Sequence, residues 1–315
     1  MMKAGIRREK RSNSFAFFFR NMATHWELYL FILPALVYVL IYCYYPMYGA
    51  QIAFKNFRAA KGILGSEWVG LKHFIKFFSS PVNLDLIRNT LHISLLTLAV
   101  GFPIPIIFAL LLNELPLGRY KKTVQTVSYA PHFISTVVMV TMINMFFDGN
   151  IGVVNKLLSY CGVGPFQFLT TPAWFPALYV LTGVWQNMGW DSVIYISALS
   201  SIDPELHEAA MIDGATRLQR IWHINLPGIL PTITTMLILA SGKIMTVGFE
   251  KVFLMQNALN TETSEIISTF VYKMGLIYTQ YSYSTAIGLF NSVVNLVLLL
   301  TVNAIVKRLN NTSLL

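Results

Sequence analysis

The sequence predicts an all-α membrane protein that crosses the bilayer six times. Of its 315 residues, 55% are hydrophobic and only 12% are charged, about half the charged share of a typical soluble domain. It also contains six uncharged segments, each long enough for a helix that crosses a bilayer core of about 30 Å. This composition excludes a disordered chain, a coiled coil, a collagen and a disulfide-rich secreted module.

The uncharged segments position the six spans in order. Trimmed at turn residues, they lie near 28–49, 91–113, 127–147, 174–198, 229–248 and 285–306. Each is expected to be helical, because backbone groups must be paired within lipid and no segment alternates as a barrel strand does. Prolines lie in or at the ends of spans at Pro103, Pro105, Pro131 and Pro231, where neighbouring helices can cover the freed carbonyls.

The distribution of basic residues predicts that both termini are cytoplasmic. With the N-terminus inside, the inner segments carry 13 Lys and Arg residues and the outer segments carry 9. The cluster Lys3, Arg7, Arg8, Lys10, Arg11 and Arg20 beside the first span decides the orientation. The net charge of +9 is therefore attributed to loops beside the membrane and not to nucleic-acid binding. A cleaved signal peptide is the alternative for this region, but the apolar run is too long and lacks a small-residue cleavage site.

The inner loop 199–228 contains signals for two short capped helices. Asp203 is a good N-cap before Pro204, and Gly214 is a natural C-terminal stop. Thr216 is expected to cap a second short helix that runs into Pro227. Two capped helices form a rigid elbow, and the small side chains of Ala209 and Ala210 would allow close approach to another protein.

The spacing of this loop resembles a known family. Glu208-Ala209-Ala210, three residues, Gly214, nine residues and then Ile224-x-Leu226-Pro227 is similar to the EAA loop of binding-protein-dependent ABC importer permeases. The resemblance implies a type I ABC importer permease fold, in which Asp203 to Thr216 form a coupling helix that sits in a cleft of the ATPase subunit. The residues implied to couple to the ATPase are Asp203, Glu208, Ala209, Ala210, Asp213, Gly214, Ile224, Leu226 and Pro227. The alternative is a structural helical hairpin at the membrane surface.

Further stretches resemble the carbohydrate-uptake branch of that family. They are Tyr45-Pro46-Met47-Tyr48-Gly49, Gly70-Leu71-Lys72-His73-Phe74, Arg88-Asn89-Thr90, Ala130-Pro131-His132-Phe133, Gly248 to Leu254 and Thr269-Phe270-Val271-Tyr272. Together they are most similar to permeases for oligosaccharides and polysaccharide fragments, a group that includes alginate importers. The resemblance implies a multi-pass protein of the bacterial cell membrane. The partners it implies are a second homologous permease chain, an ABC ATPase dimer, an extracytoplasmic solute-binding protein and a carbohydrate substrate.

The expected organisation follows from the spans and the resemblance. Residues 1–27 form a basic cytoplasmic segment, and 28–86 hold the first span and an outer loop. Residues 87–306 form the transporter core of five spans with the coupling loop, and 307–315 form a cytoplasmic tail.

A sugar needs a polar path through the spans, with hydrogen-bonding groups and aromatic faces. The expected path residues are Asn144, Trp185, Gln186, Asn187, Trp190 and Lys243. An ionisable group inside a span, as Lys243 is expected to be, is a functional hypothesis by default, and it could bind an acidic sugar. Its alternatives are snorkelling to the interface or pairing with Asp191 or Glu250. The two tryptophans could equally serve interfacial packing, and Asn291 and Asn295 are expected to join helices.

The sequence contains no catalytic or cofactor signature. It lacks a G-x-x-x-x-G-K-[ST] phosphate-binding loop, a nucleophilic triad and a metal-ligand cluster. We therefore expect no cofactor, metal site or enzymatic activity in this chain, with ATP and Mg²⁺ bound by partner ATPase subunits. The alternatives are an ABC permease for a peptide, amino acid or phosphonate, an ion-coupled secondary transporter and, more distantly, a membrane enzyme.

Overall fold

A computed structural model describes residues 24–116 and 118–310 of the chain. The basic N-terminal cluster that is predicted to orient the protein, and the end of the predicted cytoplasmic tail, lie outside the described residues. Fourteen helices are numbered in the described part, and short 3₁₀ turns at Ala59–Lys61 and Pro172–Trp174 lead into two of them. The helices are α1 (Trp26–Phe54), α2 (Gly62–Gly65), α3 (Lys72–Phe78), α4 (Pro81–Asn113), α5 (Arg119–Phe133), α6 (Thr136–Phe146), α7 (Val153–Tyr160), α8 (Phe175–Leu199), α9 (Pro204–Ile212), α10 (Arg217–Ser241), α11 (Phe249–Met255), α12 (Thr261–Ser264), α13 (Ile267–Ile277) and α14 (Tyr281–Asn310).

The segment between α1 and α4 is folded around a small hairpin. Strand β1 (Lys55–Asn56) pairs antiparallel with β2 (Glu67–Trp68), and Lys55 lies opposite Trp68. The Lys55 side chain is buried, and its Nζ donates a hydrogen bond to the Ile63 carbonyl at 2.7 Å. The ammonium also lies 4.9 Å from the centre of the Trp68 ring, so this basic residue is a structural part of the hairpin.

Length and composition identify four described helices as able to cross a membrane: α1, α4, α10 and α14. A fifth crossing results if the bent pair α5–α6 is counted as one span. Helix α8 has 25 residues and matches the predicted fourth span, but its polar Gln186, Asn187 and Asp191 lower its hydropathy. A helical membrane protein is thus confirmed, whereas the total of six spans and the orientation stay predictions.

The predicted third span, 127–147, is not one continuous helix. Helices α5 and α6 meet at an angle of 100°. Pro131 lies in the 3₁₀ turn that ends α5, and Ile134 and Ser135 are extended. The hydroxyl of Ser135 then accepts a hydrogen bond from the Val138 N–H and begins a new helix. Proline chemistry and a serine cap therefore break the apolar run that hydropathy alone predicted to be continuous.

The predicted fifth span, 229–248, is also shifted along the chain. Helix α10 begins at Arg217 and ends at Ser241. At Gly242 the chain comes so close to α14 that a Cβ atom would lie 2.5 Å from Leu299 Cδ1. The Asn295 side chain takes over backbone pairing there and accepts a hydrogen bond from the Met245 N–H at 2.8 Å. Lys243 consequently lies in the break after the helix and not inside a helical span, which corrects the prediction.

Two of the three apolar cores found among the described residues lie at different levels of the bundle. The first, which includes Ile93, Phe175 and Leu178, joins the N-terminal halves of α4 and α8 to α6 and α11. The second, here called the loop-side core, contains Ile106, Ala109, Leu110, Tyr195, Leu199 and Ile229. It joins the C-terminal halves of α4 and α8 to the N-terminal half of α10. Between the two cores, α8 carries the polar residues Gln186, Asn187 and Asp191, and α4 contributes Ser94 and Thr97.

Candidate functional site: an exposed helical loop and a polar cavity

The loop between α8 and α10 begins and ends as its sequence predicts. The Asp203 carboxylate accepts a hydrogen bond from the Glu205 N–H at 3.0 Å, which caps α9. Gly214 has φ of +77°. The Gly214 N–H bonds the Met211 carbonyl at 3.1 Å and the Ala215 N–H bonds the Ala210 carbonyl at 2.9 Å, the pair that defines a Schellman motif. The predicted cap and stop are both confirmed.

The second predicted helix of the loop is the first turn of α10. Thr216 and Gln219 form a capping box, in which the Thr216 N–H donates to Gln219 Oε1 at 2.7 Å. The helix does not stop at Pro227, because the π-helical turn Ile221–Asn225 carries it on to Ser241. The loop is thus a short helix, one tight turn and the start of a long helix.

The surface of α9 and the turn is exposed and partly apolar. Ile212 is 86% exposed, Leu218 64% and Trp222 60%, which is unusual for apolar side chains on a charged loop and is typical of a protein-contact surface. Glu208, Ala209, Asp213 and Pro227 are also exposed, whereas Ile224 and Leu226 are half-buried. The motif therefore divides into a contact half, Glu208 to Gly214, and an anchoring half around Ile224 and Leu226.

A cavity of about 390 Å³ occupies the polar level between the two cores. It lies among α4, α8, the end of α10 and α11. Of the predicted path residues, Gln186, Asn187 and Lys243 line it; Tyr179, Asp191, Thr97, Thr246 and Lys251 line it as well. A larger adjoining cavity of about 810 Å³ shares Lys243 and Asp191 and adds Trp190. The polar groups are therefore gathered at one level of the bundle, as passage of a hydrophilic solute requires.

Lys251 is a cavity residue that sequence reasoning missed. Its Nζ donates a hydrogen bond to the Tyr179 carbonyl at 2.9 Å and lies 4.8 Å from the centre of the Tyr179 ring. A Cβ atom on Gly183 would lie 3.3 Å from this Nζ, so the glycine leaves room for the ammonium group. No sequence signal indicated this position, because Lys251 lies outside every predicted span.

Three of the predicted path residues also hold the bend between α5 and α6 against α8. The Gln186 amide donates to the Ile134 carbonyl at 2.9 Å, and Asn187 Oδ1 is hydrogen-bonded to His132 Nδ1 at 2.9 Å. The Trp190 ring stacks on His132 with centroids 4.7 Å apart and planes 3° apart. The amides and the indole are therefore shared between the cavity wall and the packing of the broken helix.

Two predicted path residues, Trp185 and Asn144, lie away from the central cavity. Trp185 lines a separate apolar cavity with Met139 and Phe146, and Asn144 is exposed on α6. Lys243 is exposed, and within the described residues no ion pair joins it to Asp191 or Glu250. Asn295 joins helices as predicted, since it also donates to Thr246 Oγ1 at 2.9 Å.

The comparison with known sequences identifies the class of protein that this loop and cavity define. The family described as "Binding-protein-dependent transport system inner membrane component" matches residues 101–311. The chain belongs to this family and is an inner-membrane permease component.

Individual relatives are similar in sequence to this chain over most of its length. The polygalacturonan/rhamnogalacturonan transport system permease protein YteP of Bacillus subtilis is 46% identical over 281 residues, which cover 89% of this chain and 88% of YteP. The protein LplB of the same organism is 43% identical and covers 91% of this chain and 90% of LplB.

A solved structure of a bacterial alginate ABC transporter, in complex with an alginate pentasaccharide-bound periplasmic protein, is 40% identical to this chain. It superposes with a TM-score of 0.87 over 94% of this chain and 99% of that chain. The predicted type I permease fold and the predicted family are thus confirmed.

Proposed function

We propose that this permease passes an acidic oligosaccharide or polysaccharide fragment through the central cavity. The observation that carries the proposal is that two lysines, Lys243 and Lys251, line the cavity with one carboxylate among the described residues, Asp191. A cavity with excess positive charge favours an anionic solute, and the amides of Gln186 and Asn187 suit sugar hydroxyls. The names of the relatives point to the same chemistry, because polygalacturonan and alginate are both polymers of uronic acids.

ATP hydrolysis is assigned to separate ATPase subunits that dock on α9. The exposed apolar and charged surface of Glu208 to Gly214 supports this assignment, and Ile224, Leu226 and Pro227 anchor and orient it at the start of α10. One docking helix per chain implies that a second, homologous permease chain completes the complex. An extracytoplasmic solute-binding protein would deliver the substrate from the opposite side.

The assembled arrangement has six spans with both termini in the cytoplasm. Residues 1–27 are a cytoplasmic segment, 28–86 the first span and outer loop, 87–306 the transporter core and 307–315 a cytoplasmic tail. Helix α8 supplies the polar wall of the path, and this is supported by its Gln186, Asn187 and Asp191, which line the central cavity.

The test is uptake by proteoliposomes that contain this permease, its partner permease and the ATPase subunits, with the binding protein outside. We expect ATP-dependent uptake of oligogalacturonides or alginate oligosaccharides, and weaker uptake of neutral oligosaccharides of equal length. Preference for the neutral sugars, for a peptide or for a phosphonate would reject the substrate class. Uptake that follows an ion gradient without the ATPase subunits would reject the ABC mechanism and favour a secondary transporter.

A further inference from the structure

A polar contact joins the end of α4 to the first turns of α10. Arg220 Nη2 lies 3.8 Å from Glu114 Oε2, and the Asn225 amide donates to Glu114 Oε1 at 3.3 Å. The side chains of Arg220 and Glu114 are only 16% and 18% exposed, and Asn225 is fully buried. We call Glu114, Arg220 and Asn225 the latch.

The latch is only partly satisfied in this structure. Among the residues that the structure describes, Arg220 Nε and Asn225 Oδ1 are buried without a hydrogen-bond partner, although buried polar groups are normally paired. Arginine usually holds a carboxylate through two parallel hydrogen bonds of about 2.7–2.9 Å. The contact can therefore tighten by about 1 Å if the end of α4 and the start of α10 approach each other.

Behind the latch, the loop-side core ties the C-terminal half of α4 to the coupling loop. Ile106 and Leu110 pack in the same cluster as Leu199 and Ile229, which flank the loop. The loop itself packs closely on α10, since a Cβ atom on Gly228 would lie 2.6 Å from Ile202 Cδ1. A close-packed contact of this kind moves as a unit.

The regular hydrogen bonding of helix α4 is interrupted beside the cavity, and we call this interruption, Thr97–Pro105, the joint of α4. The π-helical turn Thr97–Gly101 is followed by Pro103 and Pro105, which lack N–H groups and leave the carbonyls of Ala99 and Gly101 without their ordinary i+4 donors. Thr97, Gly101 and Pro105 line the central cavity. The N-terminal side of this joint belongs to the other apolar core through Ile93, so the two halves of α4 are held by different parts of the molecule.

We propose that Glu114 is a positioning residue that makes the C-terminal half of α4 follow the motion of the α9 loop. Tightening of the latch bends α4 at Thr97–Pro105 and changes the width of the cavity. The inference rests on the proposed function, because it takes the motion of α9 from the docked ATPase subunits.

The test compares ATP hydrolysis with substrate uptake in the reconstituted complex that carries Glu114→Gln or Arg220→Met. We expect both variants to assemble and to hydrolyse ATP, while uptake per ATP falls by about fivefold or more, the scale of a weak allosteric coupling. Arg220→Lys keeps the charge but cannot form the two parallel hydrogen bonds of arginine. Its uptake per ATP should therefore lie between that of these two variants and that of the wild type. The double variant Glu114→Arg with Arg220→Glu, which exchanges the two charges, should regain part of the uptake per ATP that the single variants lose.

The matched control is Glu27→Gln, which neutralises an exposed carboxylate near the start of α1 and should leave uptake per ATP unchanged. The proposed role of the latch would be overturned if Glu114→Gln left uptake per ATP unchanged, or if the double variant transported no better per ATP than the single variants. If Glu114→Gln does not assemble, a normal ratio in Arg220→Lys and Arg220→Met overturns it equally. Absence of ATP-dependent uptake in the wild-type complex would instead reject the proposed function itself.

Discussion

Substitution of Gly214 by alanine perturbs the coupling loop with little other change. At φ of +77°, a Cβ atom on this residue would meet no atom within 4 Å. The cost of Gly214→Ala is therefore backbone strain alone, and no side chain is lost or crowded. Because the residue ends α9 in a Schellman motif, the strain acts on the exposed contact half of the loop.

The chain contains a matched control for this change. Gly162 ends α7 with φ of +75° and equally open space. Its hydrogen bonds repeat the motif, with Gly162 N–H to the Ser159 carbonyl and Val163 N–H to the Leu158 carbonyl, both at 3.0 Å. Gly162→Ala should therefore lose as much stability as Gly214→Ala, but at a site far along the chain from α9.

The size of the effect follows from the left-handed conformation. An alanine in the left-handed conformation costs about 1–2 kcal/mol of folding free energy. If docking requires the intact motif, ATPase binding should weaken by about 5- to 30-fold, since about 1.4 kcal/mol corresponds to a factor of ten.

The measurement is a titration of purified ATPase subunits onto the permease pair in nanodiscs, with thermal unfolding recorded for each variant. We expect equal losses of thermal stability in the two variants and weakened ATPase binding only in Gly214→Ala. Wild-type affinity in Gly214→Ala, or an equal loss of affinity in Gly162→Ala, would refute the assignment of α9 as the docking helix.

Three further changes test other parts of the site. Glu208→Lys reverses an exposed charge on α9, so membrane levels should stay normal while co-purification of the ATPase subunits is lost; normal co-purification would argue against contact there. Lys243→Met should lower transport of an acidic oligosaccharide more than that of a neutral one, and equal effects would assign Lys243 a structural role. Gly228→Ala places a Cβ atom 2.6 Å from Ile202 Cδ1, the end of a side chain that can turn away, and should cost about 1 kcal/mol of unfolding free energy, the low end of overpacking. In the control Gly288→Ala, the added Cβ atom would meet no atom within 4 Å, so the free energy of unfolding should not fall. Equal melting temperatures for Gly228→Ala and Gly288→Ala would contradict the close packing of Ile202 on Gly228.

Local signals predicted the coupling loop well because each depends on a few neighbouring residues. The Asp203 cap, the Gly214 stop and the Thr216 cap all occur in the structure as the sequence indicates. What local reasoning missed is that α10 does not end at Pro227. Pro227 lies inside α10, and the π-helical turn Ile221–Asn225 just before it, with its wider i→i+5 pairing, keeps the helix continuous past the missing N–H.

The cavity was predicted less completely, because it depends on contacts between distant segments. Hydropathy placed Lys243 inside a span, yet close approach of Gly242 to Leu299 ends the helix before that residue. Lys251 reaches the cavity through its hydrogen bond to the Tyr179 carbonyl of α8, a contact between distant segments that no local pattern reveals. The polar residues of α8 were identified correctly as a group, but Trp185 and Gln186 face different cavities.

In the proposed mechanism, ATP hydrolysed by subunits docked on α9 drives an acidic oligosaccharide through the cavity between α4, α8 and α10. The most direct measurement is the amount of oligogalacturonide accumulated in proteoliposomes per ATP hydrolysed, with and without the ATPase subunits. We expect accumulation that requires both ATP and those subunits, and that falls in Lys243→Met. Accumulation that persists without the ATPase subunits, or that responds only to an ion gradient, would contradict this mechanism.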